Sequence, residues 1–214
     1  MIRISGLEIC LAILFATVSA FSAEASIVTD QSQLTGTNEL GTSNLGFDNV
    51  QSFQQTNNNI TGASVGITGV PTNAFITIRL FDTFGDVSDP SRSIASGTAA
   101  SPGSGFVSVE FDSGPIFITP GDTYFLTFEK SLSDTGFPVV NPNVPGAFLG
   151  STANPYADGR LFSRQTDFND STFQNFDFAF QTFADSTAVA VPEPSTAMFL
   201  SIGLLGATFR RRRR

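Results

Sequence analysis

Phe75-Ile76-Thr77-Ile78-Arg79-Leu80-Phe81 is the stretch that decides the fold. In an extended chain successive side chains alternate, so Ile76, Ile78 and Leu80 share one face and Thr77 and Arg79 take the other. β-Branched and aromatic residues in this alternation predict a half-buried strand. The same period recurs in Phe106-Val107-Ser108-Val109-Glu110-Phe111, where Val107, Val109 and Phe111 face one way, and Ile116-Phe117-Ile118 follows. Pro120-Gly121-Asp122 has the residues of a type II turn, with Pro presetting the first corner and Gly supplying the positive dihedral. It leads into Thr123-Tyr124-Phe125-Leu126-Thr127-Phe128. Upstream, Ala63-Ser64-Val65-Gly66-Ile67 alternates before a turn at Pro71-Thr72-Asn73. Downstream, Phe176-Asp177-Phe178-Ala179-Phe180 sets three phenylalanines on one face.

Between these strands, Asp82 to Gly105 reads as a long loop holding a short strand near Ile94. Thr29 to Asn59, rich in Gln, Asn, Thr and Gly, predicts an irregular or weakly paired lead-in. No stretch of the body sustains a helical period. The expectation is an all-β chain of short strands in two packed antiparallel sheets.

Composition then removes most chemistries. The chain has no histidine, and its one cysteine, Cys10, lies in the N-terminal apolar segment. Ser-His-Asp and Cys-His catalysis, zinc sites of the Cys/His kind and stabilising disulfides are therefore excluded from the body. Arg3 and Arg210 to Arg214 make up six of the eleven basic residues, so the body is more acidic than the net charge of −8 suggests. A surface without basic patches excludes nucleic acid as a partner.

What remains is carboxylate chemistry, or Lys130 acting with a serine. A glycosidase needs two carboxylates flanking one bond. Glu110 and Glu129 lie on predicted strands, each expected to point to solvent, so no enzyme is expected. No cofactor is expected either, with calcium the one candidate: Asp82, Asp86 and Asp89 could offer oxygens, although about six to eight are needed and the spacing fits no EF-hand. Asp167, Asp170 and Asp177 form a weaker acidic group. Among 23 phenylalanines and two tyrosines, Phe176, Phe178 and Phe180 read as core, while Tyr156, in Asn154-Pro155-Tyr156-Ala157-Asp158-Gly159, is the ligand-binding candidate.

The two ends read as targeting segments. Arg3, the apolar run Ile9 to Val18, and the small residues Ala23 and Ala25 make residues 1–25 a secretory signal peptide, cut by signal peptidase before Ser26. At the other end, Val191-Pro192-Glu193-Pro194 cannot continue a helix and stays extended. The apolar segment 197–209 follows, shorter than the ~20 residues of a full crossing. Arg210, Arg211, Arg212, Arg213 and Arg214 then hold that end on the cytoplasmic face of a membrane.

Motif, apolar segment and basic stop in this order resemble the PEP-CTERM sorting tail of exported Gram-negative proteins, over residues 191–214. That resemblance implies transient insertion in the inner membrane, removal of the tail by an exosortase-type processing enzyme, and delivery to the cell surface or extracellular matrix. The body, residues 26–190, resembles the jelly-roll-like β-sandwich domains of such proteins. The strand 75–81 carries this likeness, with Ile118-Thr119-Pro120-Gly121-Asp122-Thr123-Tyr124-Phe125-Leu126, the Tyr156 loop with Arg160, and Asp177-Phe178-Ala179-Phe180-Gln181-Thr182-Phe183. The resulting expectation is a non-enzymatic surface or biofilm-matrix protein. Its alternatives are a carbohydrate-binding module acting on exopolysaccharide and a carboxylate-based glycan hydrolase.

Overall fold

The computed structural model describes residues 26–43, 45, 48–132, 144–153, 155–162 and 175–186. These form fourteen strands: β1 Ile27–Gln33, β2 Asn38–Gly41, β3 Val50–Gln54, β4 Asn59–Ile60, β5 Gly62–Thr68, β6 Phe75–Phe81, β7 Ala95–Ala100, β8 Gly105–Glu110, β9 Ile116–Phe117, β10 Thr123–Ser131, β11 Ala147–Ser151, β12 Leu161–Phe162, β13 Asp177–Phe178 and β14 Phe180–Asp185. One sheet runs β1-β14-β5-β11-β13, with β2 added on β11 and β8 on β5. The second runs β12-β3-β10-β6-β7, and β4 pairs β9. All pairings among the described residues are antiparallel. The fold is the all-β antiparallel sandwich that the alternating runs predict.

Between the sheets, Ile76, Ile78 and Leu80 of β6 are fully buried, as their shared face requires. They meet Tyr124, Leu126 and Phe128 of β10 and, from the other sheet, Val65, Phe148, Phe178 and Phe180. Phe128 and Phe178 touch edge to face at 5.3 Å and 87°, the geometry that ring quadrupoles favour.

The second sheet departs from the half-buried expectation. Val50, Phe81, Phe125 and Phe162 form a second apolar cluster with Val87, and Phe84 packs onto it from a short 3-10 turn, Phe84–Asp86. Phe84 lies 4.9 Å from Phe162 and 5.5 Å from Phe125. β10 is therefore buried from Tyr124 through Ser131, and Thr77 on the supposed solvent face of β6 is buried as well. A strand covered on both faces buries whatever its period-two pattern places outward.

The lead-in is a second correction. Thr29 to Asn59 supplies most of β1 and all of β2 and β3, the last lying between β12 and β10 in the second sheet. Its polarity conceals this because its amides pair at long range inside the sandwich. Gln51 donates from Nε2 to Asp177 Oδ1 at 2.9 Å and accepts from the Phe178 N–H at 2.8 Å. Gln55 accepts from Thr182 Oγ1 at 2.8 Å. Buried amides satisfied in this way stabilise the fold, and left unmade they would cost more than they contribute.

Two glycines are set by geometry. Gly121 sits at φ +83 in the turn after Pro120, as the sequence predicts. Gly97 on β7 lies where the sheets meet at β8, and a Cβ there would fall 2.0 Å from the Glu110 carbonyl oxygen.

Candidate functional site

The first described residues and the exit toward the C-terminal tail leave the body side by side. β1 pairs β14 with Ile27 opposite Asp185. One step further out, Ser186 donates its N–H (3.0 Å) and its Oγ hydroxyl (3.1 Å) to the Ser26 carbonyl. Asn59, itself buried, clamps the same end. Its Oδ1 accepts the Asp185 N–H at 2.8 Å, and its Nδ2 donates to the Asp185 carbonyl at 3.0 Å. Phe117 of β9 stands opposite Asn59. Order across this end is thus Ile27, Asp185, Asn59, Phe117.

Ile27 and Phe117 are 54% and 57% exposed. A cavity of about 120 Å³ adjoins Ile27, walled also by Phe183, Gly62, Val109 and Glu110. Thr61 also lines it, and its buried Oγ1 has no hydrogen-bond partner among the described residues. Sequence reading missed this site. No local pattern links Ile27, Phe117 and Asp185, and only strand register brings them together.

The structure disposes differently of the predicted side chains. Tyr156 is a correction: it is buried, edge-on to Phe180 at 5.2 Å and 90°. Its hydroxyl accepts the Gln54 N–H and donates toward Gln54 O and Gln31 Oε1, each at 3.2 Å. Burial pushes its phenol up to about 12, against the Gln54 hydrogen bond and with the help of Asp158, Asp30 and Asp177. The apolar ring packs into the core while the polar tip finds partners at the rim, so Tyr156 acts as a core peg rather than a ligand platform.

The calcium loop is a second correction. Asp86 pairs with Arg92 through Nη1, and Asp89 lies 3.8 Å from Arg92 Nε. Asp89 also caps the turn Pro90–Arg92 by accepting from the Ser91 N–H and hydroxyl at 3.0 and 2.6 Å. Those hydrogen bonds, the side-chain one first, hold its carboxyl below the ordinary range. Asp82 is exposed, and among the described residues no three metal-ligating side chains gather. A guanidinium sits where the cation was expected. Asp167 and Asp170 lie outside the described residues.

Glu110 is exposed, as expected. Glu129 is not: it is 5% exposed, 3.7 Å from Arg79 Nη2. Burial raises its carboxyl, and Arg79 offsets that only in part. Asp177 is also buried and raised by desolvation, against hydrogen bonds from Gln51 and the Tyr156 N–H. Lys130 is buried with its ammonium donating to the carbonyls of Thr42 (3.0 Å) and Gly146, and burial lowers it to about 8. Its contacts are backbone carbonyls rather than a serine nucleophile.

Ala23, Ala25, the Val191 to Pro194 motif, the segment 197–209 and Arg210 to Arg214 lie outside the described residues. The family of the PEP-CTERM protein-sorting motif matches residues 190–214. The chain carries a PEP-CTERM tail. A PEP-CTERM protein is exported through a membrane-anchored sorting step and processed by an exosortase. The motif starts just past the clamped end of β14. Among the described residues no helix is long and apolar enough to cross a membrane. No curated protein matches this chain in sequence. A solved structure similar to it is the clostridial cysteine protease Cwp84 after propeptide cleavage, at 15% identity and a TM-score of 0.45. That match covers 74% of this chain and 40% of the protease chain.

Proposed function

We propose that the body is a non-enzymatic component of the cell surface or extracellular matrix, delivered there by its PEP-CTERM tail. One observation carries the reading. The two carboxylates buried among the described residues, Glu129 and Asp177, lie on strands of different sheets, and each is engaged by a structural partner. Carboxylate hydrolysis needs two acids facing one cleft, with one of them available to a substrate. Binding of exopolysaccharide, the runner-up, would draw among the described residues on the exposed rings Phe106 and Phe117 in place of the buried Tyr156.

Fractionation of the producing cells tests the role. The mature body is expected in the surface or matrix fraction, and retention in the periplasm would overturn the reading. Incubation of the purified body with a panel of glycans is expected to give no turnover, whereas hydrolysis abolished by Glu129→Gln would establish the hydrolase.

A further inference from the structure

The distance between the folded body and the PEP-CTERM tail is short. Pro192 is the sixth residue after Ser186, and six fully extended residues reach at most about 20 Å. Ser186 is fixed by its bonds to Ser26, and Asp185 by Asn59. A single helix with its side chains is about 10 Å thick. Any enzyme that encloses the chain at the motif therefore brings its own surface against the end of the sandwich.

That end is suited to contact. Ile27 and Phe117 are both more than half exposed, with Asp185 and Asn59 between them. Beside Ile27 lies the cavity walled by Phe183 and Gly62, open to an apolar side chain from a partner. Exposed apolar anchors around a pocket are the usual centre of a protein interface. Strands β1, β4, β9 and β14 carry no lysine or arginine, while Asp30 and Asp185 lie on them and Glu110 is at the cavity wall. An acidic rim without basic residues disfavours an anionic bilayer surface.

We propose that the Ile27/Phe117 end of the sandwich is the surface on which the exosortase seats while it removes the tail, so that the body as well as the motif sets the rate of processing. The test is a pulse-chase of tail removal from the full-length chain in a host that makes the exosortase. Phe117→Ser, alone and with Ile27→Ser, is expected to slow removal by about tenfold, the effect of losing one interface anchor. Phe117→Ser alone keeps the readout clear of the signal-peptidase site beside Ile27. Phe106→Ser, an exposed ring toward the far end of β5 where it pairs Gly66, is expected to change nothing.

A second arm inserts about 20 Gly/Ser residues after Ser186, a flexible spacer that removes the forced contact. There the double substitution should cut at the same rate as the unsubstituted spaced chain. Wild-type removal rates for Phe117→Ser without the spacer would overturn the proposal, as would equal slowing with the spacer. Binding of the purified body to phosphatidylethanolamine/phosphatidylglycerol vesicles, abolished by the double substitution, would assign the surface to lipid and overturn it too.

Discussion

Two arginines meet carboxylates in this sandwich with opposite consequences. Arg79 and Glu129 face each other across neighbouring strands, with side chains 12% and 6% exposed. Arg92 reaches Asp86 and Asp89 in the connection between β6 and β7, at 62% exposure. Near Glu129 water is largely excluded, so desolvation dominates and its carboxyl is raised despite the guanidinium. Around Arg92 water screens the charges, and the loop geometry comes from the Asp89 cap and the 3-10 turns. Both places were candidates for chemistry in the sequence, one for hydrolysis and one for calcium, and in both an arginine takes the position that a substrate or cation would need. The difference teaches that an acidic residue's function follows its neighbours and its solvent, neither of which is local in sequence.

The sharpest way to break the comparison is to remove one partner of the buried pair. Glu129→Ala leaves Arg79 with a buried charge and is expected to cost about 3–5 kcal/mol in urea unfolding. A cost below about 1 kcal/mol would mean that water reaches the pair and that the contrast is illusory.

Titration separates the two regions by sign. Glu129 has a raised carboxyl, so the unfolded chain loses that proton first, and its contribution to stability falls as pH rises from about 4.5 toward the raised folded value. Asp89 has a lowered carboxyl, so its contribution is present above about 3.8 and is lost as pH falls through the lowered folded value. In unfolding curves taken across this range, Glu129→Gln should remove a falling component and Asp89→Asn a rising one. Equal effects of both substitutions at every pH would contradict the assignment.

Arg92→Ala is expected to lower stability only marginally, and less in high salt. A loss comparable to that of Glu129→Ala would show the loop to be more tightly coupled to the sheet than its exposure implies. The smallest effect belongs to metal removal. EDTA should leave the melting temperature unchanged, because Arg92 already pairs with Asp86 and Asp89. A fall restored by calcium would return the cation to the site, at about 2.7 kcal/mol when free calcium is a hundredfold above its Kd.

Much of the sandwich was legible where alternation was strong. β6, β8 and β10 lie where Phe75 to Phe81, Phe106 to Phe111 and Thr123 to Phe128 place them, and Gly121 takes the positive φ that its turn requires. Period-two alternation is a property of the strand itself, so it survives without knowledge of the partner. β3 was not legible, because Gln51, and Gln55 just past its end, are buried against Asp177 and Thr182, more than a hundred residues away. Tyr156 and Glu129 were misread for a related reason. A Pro-Tyr-Ala-Asp-Gly loop and an outward strand position both suggest solvent, and only packing from other segments removes it.

The sequence by itself determined the address of this protein and its class of fold. Signals of that kind are contiguous: a Pro-Glu-Pro motif, an apolar run, a block of arginines and alternating strands are each made of neighbouring residues. Tertiary structure alone decided what the carboxylates are for and what surrounds the tail's exit. Ile27, Asn59, Phe117 and Asp185 come together through strand register, and register is fixed by the whole set of pairings that bury the core, which no single segment encodes.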